Sequence, residues 1–90
     1  MGLLANAIAS CWRRAIADIG GDIIAWRYPP FGLEARVSFG IGKNTRYFLA
    51  RWYPADGVLC QGRKEDILRF QEACARAGFR FQLKDLSLCG

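Results

Sequence analysis

Leu3, Leu4, Ala7, Ile8, Cys11, Trp12, Ala15, Ile16 and Ile19 recur at steps of three and four residues. That period predicts one amphipathic helix over residues 3–19. Asn6, Ser10, Arg13, Arg14 and Ala17 fall on its other side. Gly20-Gly21 supplies the residue type that tolerates a left-handed helix stop. Residues 22–28 are rich in β-formers and end at Pro29-Pro30. From Leu33 the period becomes two. Leu33, Ala35, Val37, Phe39 and Ile41 point one way, and Glu34, Arg36 and Ser38 the other. Gly40 and Gly42 mark a bulge or twist at the strand's end. After a hairpin loop at residues 43–45, Phe48, Ala50 and Trp52 alternate with Tyr47, Leu49, Arg51 and Tyr53. A Pro-Ala-Asp-Gly turn at 54–57 leads to a short strand at 58–61.

A second helix is predicted over residues 63–77. Glu65 and Asp66 suit the positive end of its dipole and Arg76 the negative end. Ile67, Phe70, Cys74 and Ala77 form its inner face, and Gly78 its stop. Phe79, Phe81 and Leu83 alternate with Arg80, Gln82 and Lys84, which predicts a last strand. The order is α-β-β-β-β-α-β, with short connections that favour an antiparallel meander. One apolar stripe per helix and one apolar face per strand must cover each other. The expected fold is a single α+β domain over residues 1–90: a two-layer sandwich of two helices on one face of an antiparallel sheet of about four to five strands.

Such a fold leaves the other sheet face open. That face is expected to carry Glu34, Arg36, Ser38, Tyr47, Arg51, Tyr53, Arg80 and Lys84, with Leu49 as an apolar spot and Arg46 flanking it at the loop. Guanidinium and ammonium groups contact phosphates, and tyrosine rings stack on unpaired bases. Tyr and Arg are also common anchors in protein interfaces. Cross-strand Arg–Tyr and Arg–Glu pairs further stabilise a solvated face that binds nothing.

Composition sharpens this picture. The 90 residues carry 13 Lys plus Arg against 8 Asp plus Glu, a formal net charge of +5. Histidine is absent. Ser-His-Asp and Cys-His nucleophile systems and His-ligated metals are thereby excluded. Cys11, Cys60, Cys74 and Cys89 form no CxxC pair, so neither zinc nor any other cofactor is expected. Cys11, Cys60 and Cys74 fall at apolar positions and read as small buried hydrophobes, while Cys89 beside the C-terminus is expected to be exposed. Absence of a disulfide framework agrees with a reducing, cytoplasmic setting. No apolar run reaches membrane-spanning length, and no positive charge precedes Arg13 as a signal peptide would require. The first residues therefore read as mature sequence, and membrane binding is not expected. Trp12 and Trp52 read as core; Trp26 shares a side with Ile24 and Tyr28 and stays open between core and anchor. The Gly40-Ile41-Gly42-Lys43 stretch lacks the glycine spacing and following helix of a P-loop.

Phe48-Leu49-Ala50-Arg51 is followed by Asp56-Gly57, Gln61-Gly62 and Glu65-Asp66. In this order the segment from Thr45 to Gly78 resembles the plant-type AP2 DNA-binding domain, in which strands and a glycine hairpin precede a helix opened by acidic residues. The family's aromatic and Thr before the acidic pair are missing here, and the connection is shorter. The long first helix and the last strand are foreign to the family. The resemblance covers about a third of the chain and implies nucleic-acid contact.

Three functions compete. The first is a non-catalytic module that engages nucleic acid, a nucleoprotein complex or another acidic partner through Arg36, Arg46, Tyr47, Arg51, Tyr53, Arg80 and Lys84. The second is a mobile-element-type inhibitor or adaptor that blocks a host protein, such as a defence nuclease complex. The third is a small basic ribonuclease without histidine, for which Arg46, Tyr47, Arg51, Lys84 and the carboxylate of Glu34 are the groups to test. A C2 homodimer that buries excess apolar stripe stands beside a monomer.

Overall fold

A computed structural model describes residues 3–30 and 32–82. The chain runs α1 (Leu3–Asp18), β1 (Asp22–Arg27), β2 (Leu33–Phe39), a 3-10 turn η1 (Gly42–Asn44), β3 (Arg46–Tyr53), β4 (Gly57–Gln61) and α2 (Lys64–Arg76). The four strands form one antiparallel sheet in the order β1-β2-β3-β4. This is the α+β fold that the alternating and helical periods predict.

Both helices end as their glycines require. Gly21 N–H donates to the Ile16 carbonyl at 2.9 Å and Gly20 N–H to Ala17 at 3.1 Å. At the end of α2, Phe79 N–H reaches Cys74 at 2.8 Å and Gly78 N–H reaches Ala75 at 3.1 Å. These are two Schellman motifs, and Gly20 and Gly78 hold the positive φ they need, 77° and 97°.

The core joins Ile8, Trp12 and Ile16 of α1, Ile67 and Phe70 of α2, and the inward alternates Leu33, Val37, Phe48, Trp52 and Val58 of the sheet. The Trp12 ring meets Phe70 edge-on at 5.4 Å between centroids, and Phe70 lies 5.1 Å from Phe48. Aromatic pairs in this geometry add to the stabilisation from buried area.

Four expectations need correction. The buried stripe of α1 is Ala5, Ile8, Ala9, Trp12, Ala15 and Ile16, continued by Ile19 just past its end, whereas Leu4 is 62% exposed and Ala7 also faces out. Small alanines lie inside in the first turns because the stripe is centred on Trp12, not on its largest aliphatic neighbours. Ile41 is 89% exposed, since Gly40 at φ 86° turns the chain out of β2 at Phe39. Trp26 and Ile24 do not share a side. A register shift between Ile23 and Ala25 sets Trp26 opposite Ala35, packed against the core, while Ile24 stays exposed. Such a bulge breaks two-residue parity.

The last correction concerns the final strand. Over residues 79–82 no strand forms. The Schellman turn sends the chain back along α2, where Phe81 lies 6.0 Å from Phe70 and its carbonyl accepts from Gln71 Nε2 at 2.8 Å. The apolar alternates Phe79 and Phe81 are thus used on the helix side. Leu83, Lys84 and Cys89 lie outside the described residues.

Cys60 and Cys74 are buried free thiols, as their apolar positions predict. Burial pushes both up to about 12 from an ordinary value of 9.0, helped by neighbouring thiols. The unfolded chain therefore releases these protons first as pH rises. The contribution of these thiols to stability is expected to be constant below about pH 9 and to fall between about 9 and 12, by at most ~1.4 kcal/mol per pH unit for each thiol. Urea midpoints measured from pH 7 to 10.5 check this. Iodoacetamide at pH 8 is expected to modify Cys60 and Cys74 only once the protein is unfolded.

Candidate binding face

The open face is ordered in rows by strand register. Asp22, Ser38 and Tyr47 form one row; Ala25, Arg36, Leu49 and Gln61 the next; Arg27, Glu34, Arg51 and Leu59 the third. Tyr53 opposite Gly57 closes the end. Strand alternation sets each of these side chains away from the core.

Glu34 is the centre of this face. It is only 8% exposed, although it stands on the side away from the core. Arg27 flanks it on β1 and Arg51 on β3. Arg51 Nε donates to its Oε2 at 3.1 Å, and Arg36 Nε lies 3.6 Å from its Oε1. The guanidinium stems screen the carboxylate from water, and their charges offset the desolvation that burial would otherwise cost.

An open depression of about 690 Å³ adjoins the two arginines, with Ile24, Tyr47, Leu49 and Gln61 among its lining residues. Tyr47 is 67% exposed, and Ile24 and Leu59 are also solvent-facing. The apolar components therefore form part of the same surface as the cations. Tyr53 covers Gly32, where a Cβ would come within 2.6 Å of the tyrosine ring.

Of the residues expected here, Arg36, Tyr47, Arg51 and Tyr53 are brought together. Arg46 is not. It has the inward parity of Phe48 and Ala50, and it donates from Nε and Nη2 to the two carboxylate oxygens of Asp66, each at 3.1 Å. This carboxylate holds the Arg46 guanidinium above its ordinary pKa. Arg80 lines a separate depression beside Leu68, Gln71 and Glu72 of α2, because residues 79–82 form no strand. Lys84 lies outside the described residues. The groups weighed for a ribonuclease are therefore divided, with Arg46 on the side away from Tyr47, Arg51 and Glu34.

Arg27 belongs to the face and was not singled out from the sequence. The bulge in β1 hides its parity, and its only signal is the Pro29-Pro30 boundary that fixes where the strand ends. At the hairpin end, Gly62 lies against the Tyr47 carbonyl, and Arg63 and Lys64 follow it directly. Lys43 stands on η1, which joins β2 to β3 at the same end. Lys43, Arg63 and Lys64 are exposed and make no ion pair among the described residues. Among those residues no cluster of His, Cys, Asp or Glu suits a metal ion, and no helix is long and apolar enough to cross a membrane.

No protein-family model matches the chain, and no curated protein or solved structure matches it. The AP2-like segment is a likeness of local order, in which β3, β4 and α2 follow one another.

Proposed function

We propose that the protein is a non-catalytic binding module whose open sheet face takes a single-stranded nucleic acid. The observation that carries this reading is the pair Arg36 and Arg51, both ion-paired to Glu34, beside the exposed Tyr47 and the apolar depression. Bases stack on the tyrosine and rest on Ile24 and Leu49, and phosphates meet the guanidiniums. Arg27, Lys43, Arg63 and Lys64 add attraction around the rim. Every base has a π-face, so binding of this kind tolerates many sequences.

Fluorescence anisotropy with labelled oligonucleotides across a salt series tests the reading. Tyr47→Ala is expected to weaken binding by about 5–150-fold, the value of ~1–3 kcal/mol for one base stacked on an aromatic ring. Its melting temperature should not change, since the ring is mostly in water. Arg63→Ala with Lys64→Ala is expected to flatten the slope of log K against log salt by about 1.4. Failure of the wild-type protein to bind any oligonucleotide at 50 mM salt removes the proposal.

A second reading rests on Ile24, Leu49 and Leu59 at the same surface. Apolar residues among Tyr and Arg also suit a protein partner with acidic patches, which would include a host protein blocked by this chain. A partner retained after nuclease treatment, together with no affinity for oligonucleotides, favours it.

A further inference from the structure

Glu34 hydrogen-bonds one guanidinium, that of Arg51, and makes a looser ion-pair contact of 3.6 Å with a second, that of Arg36. Arg51 is bonded through Nε, and Nε is also the closest approach of Arg36, each to a different carboxylate oxygen. Among the described residues the terminal amino groups of both side chains make no hydrogen bond. An arginine engaged only at Nε still offers two planar N–H donors on its outer end, the geometry that matches phosphate oxygens. Both side chains remain substantially exposed, at 51% for Arg36 and 42% for Arg51, while the carboxylate between them is at 11%.

We propose that Glu34 is a positioning residue that presets Arg36 and Arg51 as a two-armed clamp for one phosphate group. The inference rests on the nucleic-acid reading above and deepens it, naming the site where a backbone phosphate is held. Free arginine side chains lose considerable rotamer freedom when they bind. A carboxylate that fixes them beforehand removes part of that loss, the general advantage of preorganisation. Glu34 is too enclosed to touch the ligand and acts through its partners. The adjoining depression with Tyr47 and Leu49 lies where a nucleoside attached to that phosphate would rest.

A positioning role and a mere countercharge predict opposite signs. Glu34→Gln keeps the side-chain volume and adds one positive charge to the net balance. If Glu34 only neutralises the arginines, the variant binds anions more tightly. If it positions them, the variant binds more weakly in spite of the added charge. The probe is inorganic phosphate, followed by NMR through the Nε–H signals of Arg36 and Arg51. In the wild-type protein both signals are expected to move together with one dissociation constant, and in Glu34→Gln the affinity is expected to fall about tenfold. Equal or tighter binding by the variant, or wild-type signals that do not move, overturns the clamp.

Should Glu34→Gln fail to fold, Arg36→Lys supplies the test. It keeps the charge but loses the fork, and it should weaken phosphate by a similar factor while the Arg51 signal stays in place. Undiminished phosphate binding by that variant also overturns the proposal. The oligonucleotide measurement separates the two readings. Phosphate binding that depends on Glu34, with no oligonucleotide binding, removes the nucleic-acid reading and keeps the clamp for another phosphate ligand. Oligonucleotide binding that is unaffected by Glu34→Gln does the reverse.

Discussion

Phe70→Ala is expected to lower the free energy of unfolding by about 3–5 kcal/mol, the range for deleting a fully buried aromatic ring. Phe70 has no exposed surface and is the point where separate parts of the chain meet. Its ring lies 5.4 Å from Trp12 of α1, 5.1 Å from Phe48 of β3 and 6.0 Å from Phe81 beyond α2. Alanine would leave a cavity lined by three other rings, which cannot all close on it without disturbing the sheet or α1. A domain of this size has a total stability of about 5–13 kcal/mol. The loss should lower the melting temperature by roughly 12–40 °C, at about 4–8 °C per kcal/mol. Calorimetry or thermal circular dichroism measures it. A shift below about 5 °C would mean that the rings do not form one packed centre. Separation of the segment at residues 79–82 from α2 should accompany the loss, visible as faster proteolysis there.

Asp66→Ala has the second largest expected effect, about 2–3 kcal/mol. Asp66 is 2% exposed in the first turn of α2. Arg46 brings two hydrogen bonds to it from β3, and Arg69 approaches at 3.4 Å. Arg69 also donates to the Ile19 carbonyl at 2.6 Å, which fastens the end of α1. Both guanidiniums lie over the Phe39 ring, at 5.4 and 5.7 Å. One carboxylate therefore ties together the ends of four elements. Removing one partner of a buried pair often costs ~3–5 kcal/mol, because the other charge is left without compensation. The expected figure here is smaller, since the Arg46 and Arg69 side chains are 31% and 47% exposed and can turn to water. Urea denaturation of Asp66→Ala and Asp66→Asn checks this, and loss of the amide protection of Ile19 and Gly20 would mark the end of α1. An Asp66→Ala midpoint equal to wild type would show that the ion pairs contribute nothing net.

Much of the fold was legible because its signals are local. The period of three to four in α1 and α2, the alternation in β2 and β3 and the glycines after each helix depend on near neighbours alone. Parity in β3 also placed Tyr47, Arg51 and Tyr53 on one side. The same parity sets Arg46 with Phe48, yet position beside a loop suggested otherwise, and nothing in the local sequence shows that Asp66, twenty residues on, is waiting for it. Asp66 itself reads as a dipole-compensating residue, a role its spacing supports equally well. In residues 79–82 the alternation is real, but Phe70 and Gln71 offer its apolar and polar groups partners that a sheet would otherwise provide. The bulge at Ile24 inserts one residue into the pairing and reverses the parity beyond it.

By itself the sequence determined which side chains alternate in β2 and β3, where helices stop and that the chain bears an excess of cations. It could do so because each of these properties is set within a turn of helix or a pair of strand residues. Only the tertiary structure decided that Glu34 is enclosed between Arg27 and Arg51, that Arg51 bonds one of its oxygens while Arg36 approaches the other, and that Arg46 and Arg80 stand elsewhere. Those facts depend on register between strands and on contacts across many residues of chain. Charge, ring and carboxylate become one surface only when strand pairing brings them side by side.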